Sequence, residues 1–346
     1  MRSLLRRLLI LTICVTSIGF AVLCWLASSR LICPTRRTLQ DYHLEILANA
    51  REHGMQIGGF TLSEGDSKGT PCLVCEPASE PGVATKGNTL RSQLVAQGVA
   101  LKPWGEIIGN LVLLHGHTGR KEDHLPVAER LCAAGFRCIL IDLPGHGDHP
   151  SRFASFGFRE ASLPTEVLDA AARQFHFEPC PAGIFGISQG GAIALQAGAT
   201  DPRRWAAVAE LSSFADLDGV IANQARRLFG PFQAPARLVV SHLVKWRAGY
   251  DPATIRPIDA AASLDSIPVL IGHGDADTFV PPDHARRIFE VVPSKAKRFL
   301  SISGAGHHTV LITAQPVYAT IGRFFVEAVQ GAGKTISLSP AGSQSQ

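Results

Sequence analysis

The stretch Gly183-Ile184-Phe185-Gly186-Ile187-Ser188-Gln189-Gly190-Gly191 constrains this chain more than any other. It contains Gly186-x-Ser188-x-Gly190, the G-x-S-x-G pattern of a nucleophile elbow. A short apolar run leads into it, and a small-residue helical run, Ala192 to Ala199, leads out. That context predicts a strand, a sharp turn that lifts the serine hydroxyl clear of a sheet, and a helix. The flanking glycines are expected because a side chain there would collide with the neighbouring strand or helix. A serine hydroxyl is a poor nucleophile at neutral pH. The chain must therefore also supply a base, a carboxylate to orient it, and donors for an oxyanion.

The pattern around the elbow is regular. Buried-type apolar runs at 111–114, 137–141, 205–211 and 267–271 alternate with helical stretches at 124–134, 165–175 and 283–291. A strand at 298–301 and a final helix at about 310–330 follow. Earlier, 57–62 and 72–75 read as opening strands, and 39–52 and 89–97 as short helices. Alternation of this kind predicts a mostly parallel sheet with helices on both faces. Ligands of such sheets bind beyond the carboxyl ends of the strands. His117, Ser188, Asp277 and His307 all fall just past predicted strand ends.

In chain order the candidates run Ser188, then an aspartate at 275 or 277, then a histidine at 307 or 308. Ser…Asp…His is one of three orders in which such relays are found. At this point the sequence resembles the α/β-hydrolase superfamily. The segments that carry the resemblance are 111–119 (LVLLHGHTG), 142–147 (DLPGHG), 186–191 (GISQGG), 267–281 (IPVLIGHGDADTFVP) and 304–307 (GAGH). Within the superfamily it looks most like membrane-anchored bacterial serine hydrolases of the serine-aminopeptidase-like group. The resemblance implies an α/β-hydrolase fold over residues 55–330 with a small helical cap at 214–262. It implies Ser188 as nucleophile, Asp277 as acid and His307 as base. It also implies an oxyanion hole made by the backbone N–H groups of His117 and Gln189, and no cofactor. The expected reaction is hydrolysis of a carboxylic ester, on a small-molecule or acyl substrate, through an acyl-enzyme. A peptidase or acyltransferase on the same triad is the alternative chemistry. A non-catalytic binding protein of this fold at the membrane is the alternative class.

The N-terminus carries a second strong signal. Leu8 to Ala27 is almost wholly apolar and follows Arg2, Arg6 and Arg7. At about 20 residues it is long enough to span a bilayer. Residues 1–29 are read as a membrane anchor or signal peptide, with Ala27-Ser28-Ser29 as the small-residue site if it is cleaved. The protein is then membrane-anchored with its catalytic domain outside the cytoplasm, or secreted after cleavage. Residues 30–54 read as a connector, and 331–346 as a disordered tail. A chain lacking residues 1–29 is expected to be soluble and still to hydrolyse a short p-nitrophenyl ester.

Other groups receive plainer readings. The net charge is +4 and the basic residues are scattered, so nucleic acid is not an expected partner. Eight cysteines in 346 residues do not form a disulfide scaffold. Cys72-x-x-Cys75 lacks a second pair for zinc, and its cysteines are read as strand residues on opposite faces. His115, His117, His124, His146 and His149 lack a metal-ligand spacing, so no metal is expected. Asp142 is read as a loop-fixing residue. Lys121-Glu122-Asp123 is read as a solvated helix start, with Asp123 near an N-cap.

Overall fold

The computed structural model describes residues 2–65 and 67–337. Helix α1 (Arg2–Ile32) and helix α2 (Asp41–Ala48) precede an antiparallel pair, β1 (Met55–Thr61) and β2 (Pro71–Pro77). Then follow α3 (Thr85–Ala96), β3 (Gly109–Leu114), α4 (Leu125–Ala133), β4 (Phe136–Ile141), α5 (Leu163–Phe175), β5 (Ala182–Ile187), α6 (Gln189–Thr200) and β6 (Trp205–Leu211). After these come α7 (Leu217–Phe229), α8 (Gln233–Ala248), α9 (Pro257–Ala261), β7 (Val269–Gly274), α10 (Asp283–Val291), β8 (Arg298–Ile302) and α11 (Val317–Ser337). The eight strands form one sheet in the order β1-β2-β4-β3-β5-β6-β7-β8. Only β1–β2 and β2–β4 are antiparallel.

The continuous apolar runs have their cause in two-sided burial. Along β3, Leu111 and Leu113 enter one core with α3, α4 and α11, while Val112 and Leu114 enter another with α5, α6 and α10. Cys75 and Cys72 divide between the same two cores, as the period of a strand requires. All eight cysteines are free thiols.

Several boundaries differ from expectation, each for a local reason. The last helix begins at Val317 because Pro316 has no N–H to give a helix started near 310. It passes the boundary expected at 330, since no proline follows before Pro340; residues 338–346 of the expected tail lie outside the described residues. Helix α8 begins at Gln233 and accommodates Pro235 in its first turn, where the N–H groups are unpaired in any helix. Helix α2 spans only part of 39–52.

The third core is the one least foreseen. It joins α7 and α8 of the cap to Ala154 and Phe156 and to Cys24 and Ile32 of α1. The expected division at residue 29 therefore falls inside a helix whose last turns pack against the cap. Cys24, Ser28 and Ile32, spaced by four, are fully buried on one face of α1. Arg247 of α8 donates to Ser28 Oγ and Ser29 Oγ, both at 2.8 Å. Removal of residues 1–29 would thus cut into this core.

Candidate active site

Ser188 stands between β5 and α6 with φ 54° and ψ −117°, a positive-φ conformation costly for any side chain except glycine. The turn is held by the absence of atoms. A Cβ on Gly186 would lie 2.1 Å from the Gly190 carbonyl oxygen, and one on Gly190 would lie 2.1 Å from that of Leu114. Both glycines are required by this close approach.

From that turn the Ser188 hydroxyl meets His307 Nε2 at 3.0 Å. His307 Nδ1 lies 2.7 Å from Asp277 Oδ2. The other carboxylate oxygen of Asp277 accepts the backbone N–H groups of Phe279 and Val280, both at 2.9 Å. Burial opposes the charge on Asp277, but hydrogen bonds from His273 and His307 hold its pKa well below the usual carboxylate range. It is an anion at any working pH. An anion on Nδ1 leaves the Nε2 lone pair toward the serine, the tautomer a general base needs.

The rival residues have other partners. Asp275 Oδ1 accepts from Gly304 N at 2.7 Å and so anchors the loop that carries His307. His308 stacks edge-on to His307, 5.2 Å away, with no bond to a carboxylate. The structure brings Ser188, Asp277 and His307 together, and leaves Asp275 and His308 outside the chain.

His117 and Gln189 line the same cavity as Ser188. Among the described residues, neither backbone N–H is taken by a protein acceptor. Their side chains meet as well: His117 Nδ1 lies 3.0 Å from Gln189 Oε1, and His117 Nε2 lies 2.9 Å from the Arg30 carbonyl oxygen at the end of α1. Both partners are oxygen acceptors, so the ring is held between two acceptors. Burial lowers the His117 pKa.

The neighbouring histidines serve the loops. His115 accepts from Leu143 N at 3.1 Å, and its Nδ1 faces the Gly116 carbonyl. Burial pushes His115 down to about 3 and His146 to about 2. Asp142 fixes its loop as expected, accepting Lys121 N, Lys121 Nζ and Asp148 N. The Lys121-Glu122-Asp123 run is not a solvated helix start: Lys121 and Glu122 are buried. Burial disfavours the Lys121 charge, but Asp142, Asp148 and Glu122 outweigh it and raise its pKa. The run reads as surface by composition, yet its lysine is the counter-charge that Asp142 needs under the site.

Two groups escaped sequence reasoning. His273, inside the 267–281 segment, donates between the Val280 carbonyl (2.9 Å) and Asp277 Oδ2 (3.3 Å). Glu210 is a fully buried carboxyl at the end of β6. One oxygen accepts from Ser213 N at 2.9 Å and the other has no partner. A lone acid in the apolar run 205–211 was the available signal.

Over the serine lies a cavity of about 490 Å³. Phe156, Phe214, Leu217 and Ile221 form one side, and Leu23, Leu26 and Leu31 of α1 form another. An apolar slot with a few polar groups at one end suits a substrate with an apolar arm.

A model of the alpha/beta hydrolase family matches residues 111–320. The chain belongs to that family. It is 26% identical over 276 residues to a pimeloyl-(acyl-carrier protein) methyl ester esterase of Neisseria meningitidis, covering 69% of this chain and 84% of the relative. It is 26% identical over 223 residues to a thermostable monoacylglycerol lipase of a Bacillus species, covering 60% and 86%. Among solved structures, an esterase of Pyrococcus furiosus superposes with a TM-score of 0.61 at 14% identity, over 86% of this chain and 99% of that one. That likeness bears on the fold of this family member alone.

Proposed function

We propose that this chain hydrolyses a carboxylic ester through an acyl-enzyme. The observation that carries the reading is the unbroken chain Ser188 Oγ–His307 Nε2, His307 Nδ1–Asp277 Oδ2, on a strained elbow at the floor of an apolar cavity. Ser188 Oγ attacks the ester carbonyl carbon as His307 Nε2 takes its proton. The oxyanion forms against the N–H groups of His117 and Gln189, each donor contributing about 3 kcal/mol of barrier lowering. The intermediate collapses, and His307 returns the proton to the departing alcohol. Water, deprotonated by the same nitrogen, then attacks the acyl carbon and releases the acid and Ser188. Asp277 holds the ring and stabilises its charged form throughout. Ester-cleaving relatives support the ester over the amide. The intact triad argues against a purely binding role.

We also propose that α1 anchors the enzyme, with the catalytic domain outside the cytoplasm. Its 31 residues include an apolar stretch long and apolar enough to cross a membrane. Arg2, Arg6 and Arg7 precede that stretch. Of the three arginines beyond it, Arg36 and Arg37 are bonded into the folded domain, to Ser151 O and Asp123 Oδ1. Of these, among the described residues, only Arg37 has an acidic partner, which leaves three unpaired arginines before the span against two after it and leans the N-terminal side toward the cytoplasm.

Labelling with a fluorophosphonate tests the catalytic reading. Wild type is expected to label and to hydrolyse p-nitrophenyl butyrate, and Ser188→Ala to do neither. Equal labelling of the two would sink it. A set of p-nitrophenyl esters and aminoacyl p-nitroanilides separates esterase from peptidase.

A further inference from the structure

The helix that the sequence offers as a tether is also a wall of the active-site cavity, and its contacts fix the depth of the cap. Leu8–Ala27 is the apolar run of α1. At 1.5 Å per residue, Phe20 lies about 10 Å inside the end of that run, and Trp25 about 3 Å inside. Phe20 packs against Phe229 and Phe232 at the corner between α7 and α8, with ring centroids 5.7 and 6.5 Å apart. Trp25 packs against Trp246 at 6.3 Å, and the Arg247 guanidinium sits 4.1 Å over the Trp25 ring. If α1 crosses a bilayer, the α7–α8 corner cannot stay in water. It enters the acyl region beside α1, with a Trp–Trp–Arg layer at the headgroup level, where such residues gather.

The exposed surface agrees. Leu228, Phe232 and Trp246 are 65%, 64% and 74% exposed. Three large apolar groups this open, next to an apolar helix, are costly in water and stabilising in lipid. The opposite side of α8 carries two ion pairs, Arg237 with Asp218 and Lys245 with Asp251, around an exposed Leu238. The hairpin is two-faced, and its apolar face continues the lipid-facing surface of α1. Leu228 and Phe229 of the corner also line the cavity, as do Leu23 and Leu26 of α1.

We propose that the α7–α8 hairpin is embedded in the bilayer beside α1, and that the cavity above Ser188 is filled sideways from the membrane, between α1 and α7. The substrate is then an ester whose acyl chain resides in the bilayer. The membrane-embedding part stands on α1 and the cap alone; the loading part rests on the ester-hydrolase reading of Ser188.

The test uses the full chain in phosphatidylcholine vesicles. Tryptophan fluorescence is measured with and without lipid brominated on its acyl chains, for wild type and Trp246→Phe. The expected result is a Trp246 component that bromolipid quenches. A Trp246 component that bromolipid leaves unchanged overturns the embedding. A double variant, Phe232→Glu with Trp246→Glu, tests the loading. Its hydrolysis of 1-oleoylglycerol in vesicles is expected to fall at least tenfold, while p-nitrophenyl butyrate turnover in detergent stays within about twofold. No change on the vesicle substrate, or an equal fall on both, overturns lateral loading. If wild type takes neither substrate and does not label, the ester-hydrolase reading fails and lateral loading with it, while quenching still decides the embedding.

Discussion

Glu210 gives the sharpest quantitative test of the structure. It is fully buried under the start of α6, with one hydrogen bond for two oxygens. Burial raises its pKa from the ordinary 4.5 to about 7, and the facing His273 offsets only part of that. A pKa raised on folding means that the unfolded chain releases the proton first. The stability is fully present below about pH 4.5 and is lost as pH rises through about 7. At 1.36 kcal/mol per unit, the full loss is on the order of 3 kcal/mol. About 2 kcal/mol of it falls between pH 5 and pH 8. Glu210→Gln has a similar shape, keeps an acceptor for Ser213 N, and cannot titrate. Melting both proteins in detergent from pH 5 to pH 8 should show the variant gaining on wild type by roughly 5 °C across the range. A gap that stays constant, or moves toward wild type, would refute the assignment of a strained neutral carboxyl at this position.

Other expectations follow from single contacts. Asp277→Asn should lower kcat by about 10⁴-fold with KM changed by only a few-fold, because the amide misplaces the His307 proton. Asp275→Asn, which still accepts from Gly304 N, should cost less than tenfold; paired kinetics on the two variants check both. Lys121→Met removes the counter-charge of buried Asp142 and should destabilise by about 3–5 kcal/mol, read by denaturant unfolding. Gly190→Ala puts a Cβ against the Leu114 carbonyl and should cost about 3 kcal/mol or more. It should also abolish fluorophosphonate labelling; a variant that melts and labels like wild type would show that the elbow is looser than drawn.

The sheet was legible because its central strands are buried on both faces. Leu111–Leu114 and Val269–Ile271 therefore announce themselves as apolar runs, and their ends mark the site. The proposed triad residues could be picked out because each follows such a run, in a glycine-containing loop. Asp275 and Asp277 could not be separated by spacing, since both leave the same strand. The difference lies in where each carboxylate points, one to Gly304 N and the other to His307 Nδ1. The Lys121 run was misread for a related reason. Charge in a sequence suggests solvent, and only the fold brings Asp142 beneath it.

The N-terminal helix was half legible, and the reason is physical. Lipid tails and a protein core are equally apolar, so a run of Leu, Ile and Val reports its length and not which solvent surrounds it. What marks a packed face is small or polar groups at a spacing of four; α1 offers Thr12 with Thr16 and Cys24 with Ser28, and of these only the second pair is buried. Such a signal is weak until a partner is known. Here the partner is Arg247, which holds both Ser28 and Ser29 and lies over Trp25. The same serines look like a cleavage site when read without it. Cutting after Ala27 or Ser29 would remove the wall formed by Leu23 and Leu26, and the cut after Ser29 would also strip Arg247 of its two serine partners. Arg247→Ala separates the two readings. A helix that only tethers leaves acyl-chain preference unchanged, whereas a helix that walls the cavity, once loosened, shifts the preference among p-nitrophenyl esters of different length.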